Sequence, residues 1–187
     1  MDLRNKDLKF ISSRLWQNYP KLKILDLSQN PSLGLEKIPP EISYLRNLTD
    51  LRLEQCGITE LPCQILETLT ELKSLDLAKN NIKVFFDDPH TKDLTVDRSQ
   101  INLPSLSYLN LNGNQLTKIP KIVRYLPNLK QLHLHMNRIE DVEELCRESM
   151  KGLEVLDLGG NKIQVVPIAL IKYLGNLTAL TLMNNDI

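Results

Sequence analysis

The sequence predicts a right-handed, curved α/β solenoid, with a parallel β-sheet on its concave face and short helical or 3-10 segments on its convex face. Three observations carry this expectation. Leucine supplies 37 of the 187 residues and asparagine 16, a bias that internal repetition produces and an ordinary globular chain does not show. A nine-residue frame, Leu22-x-x-Leu25-x-Leu27-x-x-Asn30, recurs from Leu48, Leu72, Leu106, Leu129, Leu153 and Leu177, with starts 26, 24, 34, 23, 24 and 24 residues apart. Within it the L-x-L step has period two, so Leu25 and Leu27 face one way while Asp26 and Ser28 face the other.

Taken along the chain, each element has a physical reason. An incomplete copy at Leu3, Leu8, Ile11 and Leu15 precedes the first full frame. Each L-x-L step is a short strand, and stacking them in parallel gives a sheet with a leucine inner face. The ninth position reads Asn30, Cys56, Asn80, Asn114, Asn137, Asn161 and Asn185. An asparagine there carries two donors and an acceptor, enough to hold backbone groups of its own coil and the next. Cys56 fits as a buried structural thiol in the same column.

The second half of several repeats carries Ile38-Pro39, Leu61-Pro62, Ile119-Pro120 and Val166-Pro167, followed by Ile42/Leu45, Ile65/Leu69, Ile122/Leu126 and Leu170/Leu174. Proline removes a donor and sets the turn onto the convex side. The fifth repeat lacks it, and Glu140-Asp141-Val142-Glu143-Glu144-Leu145-Cys146 predicts a capped helix. The long third spacing marks an insertion at 87–100, a loop that either binds or has simply grown.

The frame L-x-x-L-x-L-x-x-N/C resembles that of the leucine-rich repeat family, over essentially all of residues 1–187 as one domain. The Ile/Leu-Pro signature is similar to the intracellular 23-residue subtype of the Scribble/Erbin group and Ras-pathway scaffolds. The fifth repeat is closer to the protein-phosphatase regulator subtype. The resemblance implies a non-catalytic module that binds a protein partner, with no cofactor. The alternatives are an assembly role through open solenoid ends, or a piece of a larger signalling or effector enzyme.

Composition narrows the partner class. With 23 basic and 23 acidic residues the formal net charge is zero, unlike a surface built to neutralise phosphates, so no nucleic acid is expected. No window approaches 18 consecutive apolar residues, so no membrane span is expected. Three cysteines, Cys56, Cys63 and Cys146, do not make a disulfide framework, and the first residues lack the apolar stretch of a signal peptide. A cytoplasmic setting is the expectation. Two sequons, at Asn47 and Asn176, fall at one repeat position and read as copies of each other.

The concave face is where binding is expected. Its middle column reads Asp26, Arg52, Asp76, Asn110, His133, Asp157 and Thr181. The columns beside it place Tyr108 before Asn110 and His135 after His133. Asp26, Arg52, Asp76, Tyr108, Asn110, His133, His135 and Asp157 are the candidate contacts. Arg52 between Asp26 and Asp76 also reads as neighbouring opposite charges on a solvated face. His133-x-His135 aims two rings one way, but no fourth ligand is evident and no metal is expected. Seven strands of three to five residues give a face about 30 Å long and about 10–17 Å wide, an area somewhat under the roughly 800 Å² per partner of a standard interface, so rims or loops must contribute.

No catalytic motif is present, and no catalytic residue is expected. Cys146 has Arg147 beside it, a neighbour able to lower a thiol pKa, but reads as a structural residue. Both ends look open, leaving Leu180, Leu182 and Ile187 without a following coil. A fragment of a longer protein, an end-to-end homo-oligomer and a frayed last coil all fit, the fragment best.

Overall fold

A computed structural model describes residues 1–33, 40–59, 66, 68–83 and 103–187. The insertion at 87–100, Ile38-Pro39, Leu61-Pro62 and Cys63 lie outside the described residues. Seven strands form one parallel sheet in sequence order: β1 (Ile24–Asp26), β2 (Asp50–Arg52), β3 (Ser74–Asp76), β4 (Tyr108–Asn110), β5 (Gln131–His133), β6 (Val155–Asp157) and β7 (Ala179–Thr181). The register never slips: Leu25, Leu51, Leu75, Leu109, Leu132, Leu156 and Leu180 are neighbours across all six pairings. A one-residue slip would turn those leucines into water, which is why three-residue strands suffice to define it. Asp2 bridges to Asp26 in parallel, so the incomplete first copy extends the sheet.

Each strand ends in a bend with one residue in the left-handed region. Those residues are Gln29, Gln55, Lys79, Gly113, Met136, Gly160 and Asn184, always immediately before the ninth position. Only two are glycines, so most repeats accept backbone strain there. The bend aims the strained residue's N–H at the next coil: Gln29 donates to the Glu54 carbonyl (2.8 Å) and Met136 to that of Gly159 (2.9 Å).

The asparagine column then ties coil to coil. Asn80 Nδ2 donates to the carbonyls of Leu53 (2.8 Å) and Leu77 (2.9 Å), while its Oδ1 accepts the N–H groups of Cys56 and Ile58 (3.0 Å each). Asn30, Asn114, Asn137, Asn161 and Asn185 repeat the arrangement. At Cys56 the thiol instead donates to the Leu27 carbonyl at 3.2 Å. Its sulfur also accepts the Asn30 backbone N–H, and that coil continues into a 3-10 turn, Pro31–Leu33, closed by Leu33 N–H to the Asn30 carbonyl (3.0 Å).

A second, unanticipated set of asparagines lies just before three of the seven frames. Asn47, Asn128 and Asn176 donate through Nδ2 to the carbonyls of Pro20 (2.7 Å), Pro104 (2.6 Å) and Lys151 (2.7 Å). The hydroxyls of Thr49 and Thr178 donate to Lys23 and Glu154 carbonyls (3.0 Å each). Both sequons are therefore engaged in joining coils, which gives their shared repeat position a structural cause.

The convex side carries α1 (Ser13–Gln17), 3-10 turns at Pro40–Tyr44 and Lys121–Tyr125, and α2 (Ile168–Tyr173). Pro120 and Pro167 stand just before their segments with φ of −60° and −63°, the role expected of them. The fifth repeat corrects an expectation. It holds two 3-10 turns, Glu143–Leu145 and Glu148–Met150, without a side-chain cap, rather than one capped helix. A 3-10 turn rises about 2.0 Å per residue against 1.5 Å for an α-helix, so it covers the convex arc with fewer residues.

The core is one continuous column from Trp16 to Leu174, with most of its leucines fully buried. Its two ends differ. At the start Leu3, Leu8, Ile11 and Leu15 are partly buried against it, and Leu25 is already inaccessible. At the finish Leu180 is 45% and Ile187 65% exposed, with Leu182 partly buried.

Candidate functional site

The concave face is built from the third, fifth and seventh positions of each frame. In the fifth column, Asp26, Asp76, Asn110 and Asp157 each accept the backbone N–H two residues on, from Ser28 (3.0 Å), Ala78 (2.9 Å), Asn112 (3.1 Å) and Gly159 (3.1 Å). That N–H leaves the sheet ladder where the chain bends, and a short Asp or Asn side chain has the reach to take it. His133 has no oxygen to offer, and Asn112 supplies one from the preceding repeat to the His135 N–H (2.7 Å). Four candidate contacts thus hold strand exits with one oxygen and present the remainder to the groove.

The first half of the face is ionic. Asp26 is 5% exposed, and its Oδ2 lies 3.4 Å from Arg4 Nε and 3.6 Å from a terminal nitrogen of Arg52. Arg4 also pairs with Asp2 at 2.8 Å, and its hydrogen bonds hold the Asp2 carboxyl down to about 2. Lys79 pairs with Glu54 at 2.8 Å. Arg52 therefore turns to Asp26, and Asp76 has no cation within ion-pair distance among the described residues. Burial pushes the Asp76 carboxyl up, opposed by the hydrogen bonds from Ala78 and Asn110. Arg4, Asp26, Arg52, Glu54, Asp76 and Tyr108 are among the residues lining an open, polar hollow of about 360 Å³. Sequence reasoning missed Arg4. Setting Leu3 in frame with Leu27 would have placed it in the seventh column.

The second half is built from rings and small residues. Tyr108 and His133 lie with ring centroids 5.2 Å apart at 45°. Burial lowers the His133 pKa despite Asp157 and Asp76, and raises that of Tyr108. His133 Nε2 is buried with no hydrogen-bond partner among the described residues. His135 Nδ1 lies 3.9 Å from Asp157. Gly159 makes room for it: a Cβ there would stand 2.8 Å from His135 Nδ1. Gly159 was not among the candidates, because a glycine at negative φ leaves no turn signal. Met136 and Met183 are exposed nearby. Among the described residues, no group of three or more potential metal ligands converges.

Cys146 also departs from the suggestion of its neighbour. Burial, then Glu143, raises its pKa and outweighs Arg147. Arg147 is drawn to Glu144 (3.4 Å), whose carboxylate is gripped at 2.6 and 2.5 Å by Arg124.

A stack of short parallel strands, an asparagine column and a face of outward side chains define a curved solenoid repeat protein. Models of leucine-rich repeats match residues 21–45, 104–147 and 127–187, and the chain belongs to the leucine-rich repeat family. It is similar to the human leucine-rich repeats and immunoglobulin-like domains protein 3, at 28% identity over 82% of this chain and 15% of the relative. Toll-like receptor 2 type-2 of Gallus gallus is 30% identical over 76% of this chain and 19% of the receptor. The chain thus spans less than a fifth of either relative. Among solved structures, internalin C2 of Listeria monocytogenes superposes with a TM-score of 0.62 at 25% identity, covering 87% of this chain and 62% of that one.

Proposed function

We propose that this chain is a non-catalytic protein-binding module that engages a protein partner through its concave face, in the manner of an intracellular scaffold of the Ile/Leu-Pro subtype. The observation that carries this reading is the concave face itself. Its strands are in register over seven repeats, and its hollow is open and polar rather than the enclosed apolar cavity typical of small-molecule sites. Tyr108 and His133 supply half-buried rings, exposed Gln131 is the register neighbour of Tyr108, and exposed Ala179 and Met183 lie further along the same face, a mix of anchors and rim that suits a protein surface. The family to which the chain belongs, and relatives that include a receptor by name, support a binding role. We place the module in the cytoplasm on its three cysteines, too few and too odd in number for a disulfide framework.

The test is site-specific photocrosslinking in source lysate, with the probe at Gln131 on the concave face or at Tyr125 on the convex face. A protein captured from Gln131 only, and lost with Arg52→Glu, Tyr108→Ala and His133→Ala combined, supports the reading. Equal capture from both faces sinks it. A second reading, self-association through the C-terminal edge, draws on exposed Leu180, Ile187, Ile168 and Ile171. It requires a mass that rises with concentration and stays monomeric after Leu180→Lys.

A further inference from the structure

We propose that the hollow bounded by Glu54, Asp76 and Tyr108 receives a cationic side chain, arginine or lysine, contributed by the protein partner. This rests on the concave-face reading and names the chemistry of one contact within it. The argument is one of charge accounting inside a defined space. Two cations line the hollow, Arg4 and Arg52, and a third, Lys79, pairs with its lining residue Glu54; all are engaged, Arg4 with Asp2 and Asp26 and Arg52 with Asp26. The three carboxylates that answer them balance them. Asp76 has no cation within ion-pair distance among the described residues and feels Arg52 and Lys79 only at longer range; it stands in the lining of an open hollow of about 360 Å³, large enough for a guanidinium or ammonium group and its stem.

The remaining geometry favours a cation over a neutral group. Asp76 Oδ1 accepts the Ala78 N–H at 2.9 Å and the carboxylate also accepts a hydrogen bond from the Asn110 side chain, which together fix it in place. Tyr108 follows Ser74 in register and shares the lining with Asp76, so an arriving cation meets a carboxylate and an aromatic ring together. Partial burial of both removes water that would otherwise screen the pair. An anionic partner group would meet a carboxylate without a close cation, with the neighbouring guanidinium and ammonium groups already paired.

The experiment is fluorescence polarisation with a labelled twelve-residue peptide alternating arginine and serine, and its counterpart with citrulline for arginine. Citrulline keeps the shape and loses the charge. The substitution Asp76→Asn removes the charge yet keeps an oxygen for the Ala78 N–H, as Asn110 does at the same position of the next repeat. Glu140→Gln, an exposed residue outside the strand columns, removes the same charge elsewhere. The proposal expects saturable binding of the arginine peptide, about tenfold weaker binding of the citrulline peptide, and a loss of about fivefold in Asp76→Asn alone. Equal binding of both peptides, or equal effects of the two substitutions, overturns it. Unchanged crosslinking from Gln131 in Asp76→Asn also overturns it while leaving the concave-face reading intact. Absence of any crosslink from Gln131 in the unsubstituted protein overturns both.

Discussion

Leu132 and Leu180 occupy the same place in the same motif, on strands of the same sheet, yet Leu132 is inaccessible and Leu180 is 45% exposed. The difference lies entirely in what stands on either side. Leu132 has a coil before it and a coil after it, whereas Leu180 has only β6. A solenoid residue gains its burial from two neighbours, so stability is a sum of interfaces rather than a property of the repeat. The start of the chain makes the same point from the other direction. An incomplete coil, joined by the Asp2–Asp26 bridge and the Leu3 N–H to Asp26 carbonyl bond (2.8 Å), is enough to bury Leu25 fully.

The largest break in this comparison comes from truncating each leucine. Leu132→Ala is expected to cost about 2–5 kcal/mol and Leu180→Ala under about 1 kcal/mol in denaturant titrations, since only the first leaves a cavity. Equal costs would mean that the last coil is covered in solution. Next come the asparagines. Asn137→Ala strands Leu111, Leu134 and Leu116 backbone groups inside the protein and should cost about 2–3 kcal/mol, whereas Asn185→Ala should cost about 1 kcal/mol because water reaches its partners.

Cys56 sharpens the comparison between rungs. Burial pushes its thiol up to about 11, so at pH 8 only roughly a thousandth is thiolate. With Cys63→Ser and Cys146→Ser in place, Cys56 is expected to resist a disulfide reagent until the chain unfolds; rapid native labelling would show that this rung opens. The smallest effect belongs to His133. Its folded pKa lies below the unfolded value near 6.5, so the unfolded state binds the proton more readily. Stability is therefore expected to fall as pH drops through 6.5 towards the folded pKa, and His133→Asn should flatten that slope. An unchanged slope would locate the titration elsewhere.

Much of the fold was legible because leucine spacing and strand period are local properties. The seven strands, their outward columns, the asparagine rungs and Pro120 and Pro167 all follow from short windows. The fifth repeat was misread because its acidic start looks like a helix cap, whereas no side chain caps either of its two 3-10 turns. The site was legible only as columns. Arg4 was missed because its frame is incomplete, and Gly159 because its role is to leave space. The pairing of Arg52 with Asp26 rather than Asp76 was not legible either, since the same column places it between both.

The sequence by itself determined the solenoid, its register and the side chains that the seven full frames place on the concave face, because backbone alternation and a repeated frame leave no freedom there. Tertiary structure alone decided which of those side chains are committed to the backbone, which charges cancel and which carboxylate is left over. Those outcomes depend on distances between neighbouring coils, and electrostatic and hydrogen-bond energies change steeply over an ångström or two.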